Sequence, residues 1–374
     1  MSKFGADMRV VYSIGAPIGG YGFSIPAYYG ALAFSRRGFL SEIICTSMVQ
    51  DVPAPRVVRI PTPRLLNLNH DFRNFFFDTL AAYHLERADV LYGWSTHCLK
   101  QIARAHQLGM KTMVDRGAAE PHLQQDLLNR AYARVGLSPP YITLANLSRT
   151  TQELQRADGV IVSSTFVRDS LLAQGHDESK LYLIRLGVDA KQFRPERVIA
   201  NNSVFRILSV GNLGIQKGTH LLLDAFGKLT FPANLDLVGP VLREMRADTR
   251  LSDRRVRLHG LVPHGRLSGI YNQAAVFVLP SIQDGFGLVV LEAMACGRPV
   301  VITDAVGAKD VVQDGYDGFV LPAGDAKSIA DALQYLYENP REARRMGARA
   351  RRKALKYSWE RYMAGVVQAT KCLL

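Results

Sequence analysis

The sequence predicts an α/β protein built of two doubly wound parallel-sheet domains. Three observations carry that prediction. Short β-branched runs alternate with helical stretches almost from end to end, the pattern of parallel strands joined by crossover helices. The chain has 374 residues, and at roughly 100–200 residues per domain this is room for two domains with a core each. A stretch of little apolar periodicity, DAKQFRPERVIANNS (189–203), interrupts the alternation; with Pro195, Asn201, Asn202 and Ser203 it has the composition of an exposed linker. The first domain is therefore expected over 1–195 and the second over 204–357.

In chain order, the first half offers strands at MRVVYSIG (8–15), EIICTS (42–47), DVLYGW (89–94), KTMVDRG (111–117), GVIVSS (159–164) and LYLIRLG (181–187). Each is rich in β-branched or aromatic residues and is followed by a turn or a helical stretch. Between the second and third runs, NHDFRNFFFDTLAAYHLER (69–87) reads as a helix carrying Phe72, Phe75, Phe76, Phe77 and Tyr83, more aromatic bulk than one buried stripe requires. Those rings are either core or an exposed docking face. The second half repeats the scheme with FRILSVG (205–211), NLDLVG (234–239), VRLHG (256–260), VFVLPS (276–281), PVVITD (299–304) and GFVLP (318–322). In open parallel sheets ligands sit beyond the carboxyl ends of the strands. Two such domains facing each other would enclose a cleft, so chemistry is sought in the loops after strands.

Apolar residues make up 48% of the chain and charged residues 21%, the balance of a folded globular protein and not of a disordered or collagen-like one. No apolar stretch reaches the ~18–20 residues that cross a bilayer, and the opening MSKFGADMRVVYSIG lacks the zones of a signal peptide; a cytoplasmic protein is expected. Cys45, Cys98, Cys296 and Cys372 form no CxxC pair, so they read as reduced, mostly buried thiols. The net charge is +13, and eight basic residues against one acid in REARRMGARARRKALK (341–356) supply +7 of it. That run is either a solvated helix face or a patch for anionic lipid or another polyanion. It has no interleaved aromatics to stack on bases, and nucleic acid is not expected as a partner.

Three loops carry candidate chemistry. In GAPIGGYG (15–22), Gly19 and Gly20 precede a helix start that could take an anion. Ile25 stands where the third glycine of a dinucleotide fingerprint belongs, which leaves an acceptor or phosphate loop, or a plain tight turn. In GNLGIQKG (211–218) the Lys217-Gly218 order is the reverse of a Walker loop, yet an ammionium-bearing lysine beside a helix N-terminus suits a diphosphate as well as it suits solvent. The strongest is PSIQDGFGLVVLEAMACGRPVV (280–301), in which Asp284 precedes a Gly-Phe-Gly-Leu turn and Glu292 lies on the following helix, eight positions on. Both carboxylates can then face one ligand, with the turn amides as donors to hydroxyl or phosphate oxygens. An acid inside LVVLEAMAC is costly unless paired, so Glu292 serves a ligand or sits in a core salt bridge.

These segments together resemble the retaining, family-four type of nucleotide-sugar glycosyltransferases (glycosyl transferases group 1), enzymes of the GT-B fold with two facing Rossmann-like domains and an interdomain cleft. The likeness rests on ILSVGNLGIQKGTHLLLDAF, HGLVPHGRLSGIYNQAAVFVLPS, DGFGLVVLEAMACGRPVV, GAKDVVQDGYDGFVLPAGD (307–325) and the closing Ser358-Trp359-Glu360. In the first half it is looser, through the glycine loop, ADGVIVSSTFVRDSL (157–171) and LGVDAKQFRP (186–195). The resemblance implies that Lys217 holds the donor diphosphate, that Asp284 with the amides of Gly285, Phe286, Gly287 and Leu288 holds sugar and phosphate, that Glu292 binds ribose hydroxyls, and that Gly260, Leu261 and Val262 line the base. It also implies that the last helix, 358–374, packs back on the first domain.

The chain departs from the family pattern at three places. Asn212 stands where an arginine usually partners the loop lysine, which removes a bidentate phosphate clamp. Asp284 replaces the usual glutamate and is shorter by one methylene. The first-domain histidine near the reacting carbon has no clean counterpart: His122, in DRGAAEPH, is the first candidate and His97, in GWSTHCLK, the second. There is no DxD, HExxH, zinc-type cluster or GxSxG, so no metal or cofactor is expected, and charge on the leaving group falls to cations and helix N-termini. The implied activity is transfer of a sugar, with retention, from a nucleotide diphosphate sugar to a glycan or lipid-linked acceptor; the basic run with the aromatic helix adds an anionic membrane surface, met from the cytoplasm, as a further expected partner. A nucleotide-sugar epimerase on the same fold, or a non-catalytic partner subunit, are the alternatives.

Overall fold

The computed structural model describes residues 8–61, 70–139, 143–196 and 204–374. They form two compact units: unit 1 is Met1–Leu123, Pro140–Arg185 and Glu360–Leu374, and unit 2 is Gln124–Pro139 and Leu186–Trp359.

Unit 1 contains β1 (Val10–Ile18), α1 (Ser24–Ser35), β2 (Leu40–Met48), β3 (Arg56–Arg59), α2 (His70–His84), β4 (Val90–Trp94), α3 (Leu99–Gln107), β5 (Lys111–Arg116), α5 (Leu144–Arg156), β6 (Gly159–Val162), α6 (Thr165–Leu172) and β7 (Leu181–Leu183). Its sheet runs β3-β2-β1-β4-β5-β6-β7, parallel throughout. All six predicted strands are present. The seventh, β3, lies between Pro55 and Pro61 and consists of Arg56-Val57-Val58-Arg59, an edge strand too short and too charged to announce itself. Two neighbouring apolar clusters line one face of the sheet, joined through α3: one centres on Phe77, Ala81, Leu91 and Ala105, the other on Cys98, Ile102, Val162 and Leu171. The aromatic helix α2 divides its rings accordingly. Phe77 is buried and Phe76 packs against the core, whereas Phe72 and Phe75 are half-exposed and Tyr83 is 83% exposed. Phe75 lies under the Lys100 ammonium, 4.0 Å from its ring centre.

Unit 2 begins with the later part of α4 (Pro121–Ala133) and continues with β8 (Phe205–Val210), α7 (Thr219–Gly227), β9 (Ala233–Val238), β10 (Val256–Gly260), α8 (Leu267–Gln273), β11 (Val276–Leu279), α9 (Leu288–Ala295), β12 (Val300–Thr303), β13 (Gly318–Leu321), α10 (Ala326–Glu338) and α11 (Pro340–Ala354). The sheet order is β10-β9-β8-β11-β12-β13, again parallel, and the six predicted strands account for it. One core layer joins α7 and α10 to the sheet; Tyr132 belongs to it, and its hydroxyl donates to Glu244 at 2.9 Å. The other layer holds α8, α9 and α11.

Part of the predicted linker behaves otherwise. Residues 197–203 lie outside the described residues, but 189–196 are packed into unit 2. Phe193 is 1% exposed, its ring meets Tyr271 and His264, and Asp189 accepts from the amides of Lys191 and Gln192 at 2.9 and 3.1 Å. One large apolar side chain in a polar run is enough to anchor the segment, so the division between units falls at 185/186 instead of 195. The chain closes with α12 (Trp359–Lys371). In unit 1 Asp115 accepts from Tyr92 at 2.8 Å and from Tyr362 of this helix at 3.5 Å. Among the described residues no helix is long and apolar enough to cross a membrane.

Candidate active site

Strand order decides where the loops of unit 2 converge. β8 and β11 are neighbours, while β8 connects onward to β9 on one side and β11 to β12 on the other. The loops after β8 and β11 therefore flank the topological switch point, where open parallel sheets bind ligands. Lys217 leaves the first loop and Asp284 the second, and their side chains form a short ion pair. The loops are tied further by Nε2 of the Gln216 side chain, which donates to Oε1 of Gln283 at 3.2 Å, and by the Ile282 backbone amide, which donates to the Gln216 backbone carbonyl at 2.9 Å.

Gly218 fixes the lysine's position. It has φ of +70°, and a Cβ there would stand 1.9 Å from the Pro280 carbonyl oxygen. Only glycine lets the two loops approach this closely. Gly287, with φ of +82°, plays the matching part before α9 and caps it without a side chain; the Val290 amide turns back to the Gly287 carbonyl at 2.9 Å, so Leu288 and Val289 carry the amides that this helix start leaves to a ligand. Asp284 accepts from the Phe286 amide at 3.3 Å, and its own backbone is held to Ala305 and Gly307 at 3.0 and 2.9 Å. Asn212 is exposed on the first loop and brings no charge to the Lys217–Asp284 pair.

Glu292 is 2% exposed. One carboxylate oxygen receives Nε2 of His264 and the other the hydroxyl of Tyr271, each at 2.8 Å. Burial opposes a charge on His264, but the hydrogen bond and charge of Glu292, with Asp189, outweigh it and raise its pKa. Burial, then the Glu292 charge, pushes the Tyr271 phenol well up. The carboxylate is thus held as an internal pair beside the segment Gly260 to Val262, in which Gly260 has φ of +63° and Leu261 is 63% exposed. Sequence reasoning missed both partners of Glu292. Tyr271 lies on α8 and His264 in the turn that precedes it, so no single helical face announced the pair.

In unit 1 the switch point lies between β1 and β4. β1 runs three residues beyond the predicted Gly15, so the glycine turn contracts to 19–22. Gly19 and Gly20 sit there with φ of +75° and +114°, and the Gly19 amide is taken by the Ser24 carbonyl at 2.9 Å. That leaves it no hydrogen for an anion. His97 is only 8% exposed, with its ring against Phe77. His122 is half-exposed, and its Nδ1 lies 2.8 Å from Glu120, which also accepts the amides of His122 and Leu123 at the start of α4. Glu120 thereby fixes the orientation of the ring through Nδ1. Among the described residues no group of three or more His, Cys, Asp or Glu side chains is arranged to hold a metal ion.

The basic helix is less free than its composition implies. Arg349 pairs with Glu342 at 2.7 Å, Lys353 with buried Asp317 at 2.5 Å, and Arg351 donates to the Phe193 and Ala295 carbonyls. Arg341, Arg344, Arg345, Arg352 and Lys356 are the exposed members.

Residues 191–353 match the family described as Glycosyl transferases group 1. A D-inositol 3-phosphate glycosyltransferase of Corynebacterium urealyticum is 30% identical over 254 residues, 60% of this chain and 60% of that protein. The sulfoquinovosyl transferase of Arabidopsis thaliana is 30% identical over 216 residues, 54% of this chain and 42% of its own. The chain thus spans about three fifths or less of the curated relatives it matches. Among solved structures, a sucrose-phosphate synthase from Thermosynechococcus elongatus superposes with a TM-score of 0.76 at 22% identity, over 98% of this chain and 99% of that one. Anabaena HepE in complex with UDP-glucose gives 0.73 at 17% identity, over 98% and 100%. The fold is therefore GT-B.

Proposed function

We propose, on the match of residues 191–353 to the glycosyl transferases group 1 family, that the chain transfers a sugar from a nucleotide diphosphate sugar to a glycan or lipid-linked acceptor, with retention of configuration. The observation that carries the proposal is the Lys217–Asp284 pair at the switch point, with glycine-ended loops and an uncapped helix start around it. As the glycosidic bond breaks, negative charge grows on the leaving diphosphate. The Lys217 ammonium and the first amides of α9 are fixed donors for that charge, the kind of preorganised contact that supplies the largest stabilising term. Asp284 holds the lysine in place before the donor arrives and accepts a sugar hydroxyl once the phosphate engages it. Glu292, set by His264 and Tyr271, takes the ribose hydroxyls beside Gly260, Leu261 and Val262. His122 is the first-domain group assigned to the reacting sugar, with its ring turned by Glu120. No metal or cofactor is assigned a part.

Relatives named as transferases favour transfer over the epimerase alternative. The exposed cations of α11 and the exposed rings of α2 fit a protein that works in the cytoplasm against an anionic membrane surface, at about 1 kcal/mol per basic residue. Liposome sedimentation at two salt concentrations tests that part. The activity is tested by incubating the protein with a panel of nucleotide diphosphate sugars and following free nucleotide with and without glycan and lipid-linked acceptors. Acceptor-dependent release is expected. Release of nucleotide and free sugar without any acceptor would mean epimerisation or hydrolysis, and an absence of both turnover and nucleotide binding would mean a non-catalytic subunit.

A further inference from the structure

Helix α11 and the turn that ends α9 enclose a pocket of about 290 Å³, away from the donor loops. Four arginines stand in its wall, Arg298, Arg344, Arg351 and Arg352; the remaining lining is apolar apart from the Cys296 thiol, and no carboxylate is among it. Arg298 donates to the carbonyls of Cys296 and Ala274 at 3.1 and 2.9 Å, and Arg351 to those of Phe193 and Ala295. Carbonyls fix a guanidinium's direction without cancelling its charge. Arg344 and Arg352 are exposed and have no hydrogen bond or ion pair among the described residues.

The contrast along the helix is informative. Arg345 and Arg349 share the single carboxylate of Glu342, and Lys353 pairs with Asp317. Positions 344, 348, 351, 352 and 355 fall on one helical face, and that face is where unbalanced charge collects. The wall is also held firmly, because a Cβ on Gly347 of α11 would stand 2.1 Å from the Gly297 carbonyl oxygen; the helix lies directly on the turn. Burial holds the Arg298 guanidinium below its usual range, with only the Cys296 thiol pulling the other way.

The geometry points to this pocket as a binding site for the phosphate of a small mono- or diester, separate from the donor site. Guanidinium forks match phosphate oxygens two at a time. The volume is at the low end of ligand pockets, ~300 Å³ and above, which suits one phosphate with a few carbons on the apolar floor and excludes a nucleotide sugar or a glycan. Leu355, half-exposed at the rim, adds apolar surface there. The phosphate is carried by a soluble polyol ester or by a glycerophospholipid headgroup, which present the same chemistry.

The test is calorimetric titration of the full chain with inorganic phosphate and with glycerol 3-phosphate at fixed low ionic strength. Arg344→Ser with Arg352→Ser is compared with a control pair, Arg341→Ser with Arg345→Ser, which removes equal charge from the same helix outside the pocket. The pocket pair should weaken binding at least tenfold and the control pair less than about twofold. Sedimentation with phosphatidylcholine vesicles, with and without phosphatidylglycerol, separates the sources. Vesicle binding that falls at least tenfold further in the pocket pair than in the control pair assigns the headgroup; phosphate-ester binding lost only in the pocket pair, with vesicle binding alike in both pairs, assigns the soluble ester. Equal losses in both pairs would reduce the effect to the helix's diffuse field and overturn the site, as would wild-type protein that binds neither phosphate nor vesicles. These readouts do not require donor turnover, so they stand apart from the success or failure of the transferase assignment.

Discussion

Replacing Lys217 by alanine removes a whole positive charge from the point where the loops after β8 and β11 meet. The side chain is 28% exposed and its partner Asp284 14%, so two separate costs follow. In the absence of donor, Asp284 keeps only the Phe286 amide at 3.3 Å. The pair is neither a surface pair, with a median of ~0–1 kcal/mol, nor a fully buried one, where loss of a partner costs ~3–5 kcal/mol. A loss of about 1–2 kcal/mol is expected, or several degrees in the melting of unit 2. In the transition state the missing contact to the leaving diphosphate costs about 2–4 kcal/mol, which is about 30- to 900-fold in kcat at ~1.36 kcal/mol per decade. Nucleotide release at saturating donor, measured beside calorimetric melting, separates the two. Lys217→Arg restores charge and should recover stability more fully than rate, because the fork does not reproduce the ammonium's position. Wild-type turnover of the alanine variant at saturating donor would refute the assignment of this lysine to the diphosphate.

Glu292→Gln should raise donor KM by about ten- to a hundredfold, the worth of a hydrogen bond to a charged group, with kcat little changed, because a ribose contact is made equally in ground and transition states; lower melting with unchanged kinetics would instead make the His264–Glu292–Tyr271 cluster purely structural. Gly218→Ala should destabilise unit 2 by more than the ~1–2 kcal/mol of a left-handed non-glycine residue, because the added methyl overlaps the Pro280 carbonyl, and an unchanged melting temperature would contradict that packing. Burial pushes the Asp115 carboxyl up to about 7, so the native state keeps a proton that the unfolded chain releases near pH ~3.9, and stability should fall as pH rises from about 4 to 7, by on the order of 4 kcal/mol. Asp115→Asn should flatten that dependence and be more stable than wild type in urea unfolding at pH 8, whereas parallel pH profiles for the two proteins would exclude an uncharged native Asp115.

Strand and helix alternation is a local property, repeated every few residues by β-branched runs and turn glycines, and it was legible in twelve of the thirteen strands among the described residues. The lone omission, β3, pairs at an edge through four residues whose only claim to be a strand is the neighbour they lie beside. The same holds for the phosphate-type loop and the acidic loop: their glycines and acids stand in contiguous motifs, so each could be read alone. That Lys217 would meet Asp284 depended on β8 and β11 being neighbours, a matter of sheet order that no local segment states. Likewise, Glu292 was recognisable as an acid in an apolar helix, but its partners come from α8, through Tyr271, and from the turn before it, through His264. The polar run 189–196 looked like linker because composition averages over residues, while one buried Phe193 decides the packing.

The basic helix shows the division most plainly. Charge is additive along a sequence, so +7 over 341–356 could be counted without a structure. Which of those cations is spent internally depends on Glu342, Asp317 and backbone carbonyls brought up by the fold, and only the packing of α11 on Gly297 leaves Arg344 and Arg352 unpaired over a pocket. Identity and order of elements reside in short-range pattern; pairing of charges resides in distances between segments, and those are set only when the sheets close their cores.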